Sequence, residues 1–490
     1  MNRNKEIQYD LTLIHFNDIH GRIDSSGESI DFAKLFTFLK DLRKNKKNGE
    51  VILIDSGDTI HGTLFANLSK GRAIVEIYNA IGLNYSTLGN HDFNYGYDHL
   101  KNLINIQKHK TLATNLIDEN NGIDSFEIKN INGFKICFFG IVTPETYYKT
   151  SYKDISTLKI EEPQKSVEEL LENLKNEKVD MFIGITHLGL DKSTKEKNRS
   201  EYLAKKFSQL DILLDGHSHT EIKEKFIVNK TVISQVGNYN RNIGIVQIKL
   251  DQDKSKNIIN YKLITKDEID VYKSDECIEK KVTSITKDIK EKMSRIVGEN
   301  RFFLNGDRDL VRTQETNLTQ LITDAIHWKT KADAVLINGG SVRDSIAKGN
   351  ITVEDISKSI PFGNVIITKN VKGENIKLAL ENGLRFYPNS FGAMAQVSGM
   401  KVYFDPEKNA FDRVKEIFIN DEILKNEKYY RLAVTDFMAI GGEEYTSLIN
   451  EKEVEIHPTA EEILTEYIKK VGIKKREEVI PRLISIKKTF

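Results

Sequence analysis

Five short apolar runs that each break off into the same small set of polar residues constrain this chain more than any other feature. LTLIHF runs into NDIH, VILI into DSGD, YSTL into GNHD, MFIGIT into a histidine, and DILLD into GHSH. Runs so short and so continuously apolar suit strands covered on both faces, with the amphipathic stretches between them as the covering helices. In open α/β sheets, ligands and catalytic groups sit just outside the carboxyl ends of the strands. Five separated segments therefore bring polar groups to one edge.

The chain has 490 residues, more than one hydrophobic core usually serves, so two domains are expected. The α/β alternation continues to about residue 265, where GIVQIKL and NIINYKLI read as a hairpin around DQDKSKN. Ile278, Val282, Ile285, Ile289 and Met293 then recur at helical spacing, which predicts a connecting helix. The expected division is a catalytic domain over 1–270, a helix and hinge over 271–299, and a second α/β domain over 300–490. In the second domain, Asn317 and Gln320 have capping-box spacing before the helix NLTQLITDAI. DAVLIN and YRLAVT read as strands and KGENIKLALENGL as a helix.

Lys plus Arg equal Asp plus Glu at 72 each, so the chain lacks the basic footprint of a protein that binds nucleic acid polymers, and a small substrate is expected. No apolar run approaches the ~20 residues of a membrane span. The opening MNRNKEIQYDLTLIHF has no apolar leader core, and the expected location is cytoplasmic. The two cysteines, Cys137 and Cys277, read as incidental thiols. The oligomeric state is left open.

Singly, the polar residues at the strand ends have ordinary explanations: a D-x-H at Asp18 and His20, an Asx-turn at Asp58, a buried histidine at His187. His217 and His219 flank one serine in a glycine turn, and Asn90 and His91 follow a glycine that permits close approach to a ligand. Jointly, Asp18, His20, Asp58, Asn90, His187, His217 and His219 supply two four-ligand sites if one carboxylate bridges. Mixed nitrogen and oxygen donors suit zinc, manganese, iron or cobalt. A pair of such ions can generate hydroxide at neutral pH and hold the attacking and leaving oxygens of phosphate-ester hydrolysis. His15, His61, His99, His109, His327 and His457 read as structural or surface residues, with His61, close after Asp58, the leading exception.

The ordered set D-x-H, GD, GNH-D/E, H and GHSH resembles the calcineurin-like metallophosphoesterases, and the layout of the whole chain resembles the 5'-nucleotidase family among them. That resemblance implies an αββα sandwich of two sheets flanked by helices, followed by an α/β substrate-binding domain. It implies one metal on Asp18, His20, Asp58 and His219, a second on Asp58, Asn90, His187 and His217, and His91 as the catalytic histidine. It also implies a nucleotide substrate and a domain hinge near residues 275–300. NGGSVRDS, IPFGN and GGEEY resemble the family's substrate domain. There Arg343 suits phosphate or a carboxylate, Asn338 and Asn364 suit a base or ribose, Tyr445 offers a ring for stacking, and Arg385 matches a family arginine that contacts substrate. Met394 stands where the family has an aromatic ring, with Phe391 as a nearby substitute.

A 5'-nucleotidase-type hydrolase using a metal-bound hydroxide is the leading expectation. Asn94 stands where that branch has an aspartate, and GNHDFNYG is closer to the 2',3'-cyclic-nucleotide 2'-phosphodiesterase and 3'-nucleotidase branch, which is the alternative. An asparagine there could accept a hydrogen bond from His91. A nucleotide-binding sensor with a vestigial metal site is the rival of another class, and the complete ligand set argues against it.

Overall fold

The computed structural model describes residues 7–23, 29–118, 122–150, 158–190, 194–253, 257–473 and 478–486. The chain divides into two compact units, 1–289 and 290–490. The division falls inside the helix Glu276–Met293, which occupies the stretch expected to connect two domains.

The first unit holds two six-stranded sheets. One runs in the order Ile258–Thr265, Asn242–Lys249, Leu11–Phe16, Glu50–Asp55, Tyr85–Ser86, Lys110–Thr111. The other runs Phe226–Val228, Thr231–Ser234, Ile212–Leu214, Met181–His187, Phe134–Val142, Phe126–Ile131. The side-chain period of two explains why the apolar runs are continuous. Leu11, Leu13, Ile52 and Ile54 of the first sheet meet Phe138, Ile183, Ile185 and Leu214 of the second in the core between the sheets. Their neighbours Ile14, Phe16 and Leu53 face the helices Phe32–Lys44, Arg72–Ile81 and Tyr97–Ile106. Cys137, Phe139 and Ile141 face the helices Pro163–Asn173 and Ser200–Lys206. The result is the expected αββα sandwich. The 242–249 and 258–265 strands pair antiparallel as the expected hairpin, whose turn at 254–256 lies outside the described residues.

The central strands of each sheet are parallel. Phe16 pairs with Asp55 and Asp55 with Ser86 in the first sheet, and Val142 pairs with His187 in the second. Strand ends thus stand level, and the loops that follow them leave from one edge, as the sequence pattern requires.

The second unit has a mixed five-stranded sheet in the order Ala395–Ser398, Ala334–Asn338, Tyr429–Thr435, Val365–Lys372, Lys452–Thr459, with a four-stranded sheet beside it. The helix start expected at Asn317 differs by one residue. Thr316 is the N-cap, its hydroxyl accepting from Thr319 N, because Asn317 is engaged elsewhere: it accepts from Asn305 N and donates to the carbonyl of Phe303. Both cysteines are free thiols, Cys137 buried and Cys277 exposed. Among the described residues no helix is long and apolar enough to cross a membrane.

Candidate metal centre

The strand-end loops bring together two clusters of ligand atoms, Asp18 with His20 and His219, and Asp58 with His187 and His217; within each cluster the atoms lie within 4.8 Å of one another. His20 Nε2 and His219 Nε2 are 3.1 Å apart, and they stand 3.9 and 3.4 Å from Asp18 Oδ1. Metal–nitrogen bonds of about 2.0–2.1 Å separate two ligands by roughly 3 Å, so these atoms already have the spacing of a coordination shell. His187 Nε2 lies 3.2 Å from Asp58 Oδ2 and 3.9 Å from Asp18 Oδ1, which makes the two clusters neighbours. Asn90, in the turn Asn90–Phe93, is buried beside them, and the backbone N–H of His91 donates to Asp58 Oδ1 at 2.8 Å. The two carboxylates and His187 are buried, while His20, His217 and His219 are partly exposed, a donor set that fits divalent cations of the zinc and manganese kind.

Backbone strain concentrates here. Asp18, His20, Asp58, His217 and His219 all have positive φ, between 46° and 81°. For non-glycine residues each such conformation costs of order 1–3 kcal/mol and persists only where the surroundings enforce it. The enforcing group for the GD loop is Asp92. Its Oδ2 accepts from Asp58 N and Gly89 N at 2.9 and 2.8 Å, and its Oδ1 from Thr59 N and Ile60 N at 2.9 and 3.0 Å. Gly89 is required because a Cβ there would overlap Asp58 Oδ1. The GHSH loop is held by Asp18, whose Oδ2 accepts from His217 N at 3.0 Å, and by Gln235, which accepts from Thr220 N and donates to the carbonyl of Gly216 at 2.8 Å. Asp215, just before the loop, ties it to the His187 loop by accepting from Leu188 N and Gly189 N at 3.0 and 3.1 Å.

The electrostatics follow from burial. Desolvation raises the pKa of Asp58, but His187 and His91 outweigh it and the carboxyl falls well below its usual value. Desolvation likewise opposes ionisation of Asp18, and His219 and His187 bring it down. Burial would neutralise His187, yet Asp58 raises it. Protons here occupy places that a divalent cation would take, so cation binding should release them.

The outer contacts orient the ligands. His187 donates from Nδ1 to the carbonyl of Ser56 at 2.7 Å, which turns Nε2 toward Asp58. His217 donates from Nε2 to Oε2 of the buried Glu145 at 2.8 Å, so an ion held while that bond persists meets Nδ1. Glu145 was missed in the sequence because nothing in TPE, after the strand Phe134–Val142, marks it as more than a turn. His61 is buried beside His91, their rings parallel to within 9° with centroids 5.8 Å apart. Asn94 does not meet His91 as an acceptor, contrary to expectation. Its Nδ2 lies 3.0 Å from His91 Nδ1 and 3.1 Å from His61 Nδ1, while its Oδ1 accepts from Thr150 Oγ1 at 2.9 Å. His15 bonds Ser234 in the core and His99 the carbonyl of Lys70, as ordinary structural histidines.

In the second unit the expected residues separate into two groups. Arg343 is exposed, its guanidinium 4.8 Å over the Phe362 ring of IPFGN, and Asn364 donates to Asp436 Oδ1 at 2.7 Å. Asn338 is buried, with Nδ2 on the carbonyl of Gly392 and Oδ1 accepting from Ser341 Oγ at 2.5 Å. Arg385 is 8% exposed and engaged by Asn382 and Glu444. Tyr445 corrects the expectation of a stacking ring: it is 0% exposed and donates to the carbonyl of Ala393 at 2.6 Å, so it has no face to offer a base. Met394 is also core. Phe437, which follows the Asp436 bonded by Asn364, presents a ring that is 41% exposed. It was missed because TDFMAI reads as the end of an apolar strand.

Residues 11–221 match the calcineurin-like phosphoesterase model and residues 295–449 the 5'-nucleotidase C-terminal domain model. A trifunctional nucleotide phosphoesterase protein of Bacillus subtilis is 28% identical across 98% of this chain, which spans 35% of that protein's length. A 5'-nucleotidase of Vibrio parahaemolyticus is 28% identical across 95% of this chain and 90% of its own length. Among solved structures, a 5'-nucleotidase precursor of Thermus thermophilus shares the fold at TM-score 0.65, 24% identity and coverage of 97% and 99% of the two chains. A Staphylococcus aureus protein shares it at TM-score 0.78 and 18% identity, with 97% and 99% covered.

Replacing Glu145 with Gln should weaken divalent-metal binding by roughly 10–100-fold, the usual effect of losing a carboxylate behind a ligating histidine, while leaving the circular dichroism unchanged. Chelator competition measures it; unaltered affinity would reduce Glu145 to a packing residue.

Proposed function

We propose, for a chain that belongs to the calcineurin-like phosphoesterases carrying a 5'-nucleotidase C-terminal domain, that it removes phosphate from nucleotides, with 5'-nucleotides as the preferred substrates. The observation that carries this reading is the pair of adjoining ligand clusters at one sheet edge, with His91 tied through its backbone to Asp58.

Two divalent ions would supply Lewis acidity and activate water for attack on phosphorus. Asp18, His20, Asp58 and His219 would hold one, and Asp58, Asn90, His187 and His217 the other, with Asp58 shared. His91 is half-exposed above the buried carboxylates, where its ring can meet a phosphoryl or leaving-group oxygen as hydrogen-bond donor. In the second unit, Arg343 offers a fork for anionic groups and Asn364 an amide. Phe437 takes the stacking role once expected of Tyr445. Metal identity follows from the donor chemistry only as far as zinc, manganese, iron or cobalt.

A 2',3'-cyclic-nucleotide phosphodiesterase and 3'-nucleotidase activity remains the second reading because the group next to His91 is the neutral Asn94. A carboxylate there would favour the charged imidazole, and an amide does not.

Phosphate release from a panel of 5'-, 3'- and 2',3'-cyclic nucleotides with manganese, cobalt or zinc should be fastest on 5'-nucleotides and abolished by chelation. Faster cyclic-nucleotide turnover would favour the second reading, and nucleotide binding with no turnover under any metal would favour a sensor. Phe437→Ala should raise KM for nucleotides roughly 5–100-fold, the equivalent of about 1–3 kcal/mol per stacked base, and barely alter hydrolysis of a small aryl phosphate. Equal losses on both substrates would place Phe437 in the fold.

A further inference from the structure

One amide in the first unit serves two imidazoles. Asn94 Nδ2 carries two hydrogens and sits 3.1 Å from His61 Nδ1 and 3.0 Å from His91 Nδ1, so it donates one to each. Thr150 donates to Oδ1 of the same amide and sets its orientation. A neutral imidazole that accepts at Nδ1 carries its proton on Nε2. Both rings are therefore held in the same tautomer, and they are also held parallel, to within 9°. An aspartate at position 94 would do the opposite, accepting at its oxygens and drawing the ring protons to Nδ1.

His61 is placed toward the ligand clusters. It follows Asp58 by three residues, and the next residue, Gly62, packs its α-carbon so closely on His20 that a Cβ would come within 2.7 Å of His20 Cβ. The Tyr95 ring supports it from 5.3 Å, and Tyr95 in turn donates to Asn67 Oδ1, which also accepts from Gly62 N. Burial keeps the His61 ring neutral, pushing its pKa down to about 3, as does the neighbouring His91. A neutral, braced imidazole with Nδ1 already engaged has one group left for a ligand, its Nε2–H.

We propose that His61 is a second phosphate-binding imidazole, locked by Asn94 in the same tautomer as His91, so that Nε2–H groups from two parallel rings address the phosphoryl oxygens of the substrate. This rests on the reading of the centre as a phosphoesterase site.

The test is calorimetric binding of inorganic phosphate to the manganese-loaded full chain. His61→Ala should weaken phosphate binding ~10–100-fold, the loss of one hydrogen bond to a charged acceptor, with manganese content unchanged. His61→Gln, which retains an N–H donor, should recover part of that loss. In nitrogen-15 spectra of the metal-free chain, His61 and His91 should both carry the proton on Nε2, and Asn94→Ala should release both rings together. Wild-type phosphate affinity in His61→Ala would overturn the proposal. So would a loss that tracks lost manganese, different tautomers for the two rings, or no phosphate binding by the wild type. Phosphate binding through His61 in a chain that released none from any nucleotide would instead sink the proposed function and leave this inference standing.

Discussion

The Asp92 carboxylate is the constraint on which the centre depends. Four backbone N–H groups from two separate loops converge on it, three from the GD loop and one from Gly89. Hydrogen bonds to a charged acceptor contribute about 1.5–3 kcal/mol each, enough to hold Asp58 at a φ of 56° that would otherwise cost about 1–3 kcal/mol. Burial and the nearby Asp58 push the Asp92 pKa up, and the same N–H donors oppose that rise. With Asp58 fixed, the N–H of His91 is fixed through it, and the two loops behave as one rigid edge.

The sandwich supplies the rest. Level parallel strands deliver the loops to one edge, and the inter-sheet core keeps the two sheets in register. Asp215 ties the start of the GHSH loop to the His187 loop, and Asp18 accepts from His217 N within the GHSH loop itself. The carboxylates under the imidazoles are deeply buried, so their charge is costly without cations close by. Positive-φ strain at five of the polar strand-end residues is stored in the one place where the fold has the hydrogen bonds to maintain it.

The sandwich and the gathering of polar side chains at its edge were legible because each depends on local pattern: continuous apolar strands, and His and Asp at the strand ends. His187 and His217 illustrate this, since a histidine at a strand end has the same place in the chain and in space. Residues whose role depends on side-chain reach across the fold were not legible. Glu145 meets His217 across 72 positions, and Asn94 meets His61 across 33. The second unit was the least legible. GGEEY suggested an exposed tyrosine, but consecutive positive φ at Glu443 and Glu444 turns the chain so that Tyr445 enters the core. Phe437, eight residues earlier, is exposed instead.

The central claim is that Asp58 joins two metal sites. Anomalous diffraction from crystals grown with manganese tests it most directly. The account predicts two peaks per chain, ~3.5–4 Å apart as in two-metal hydrolytic centres, with Asp58 touching both and His187 and His219 on different ions. A single peak, or two ions that do not share Asp58, would contradict it.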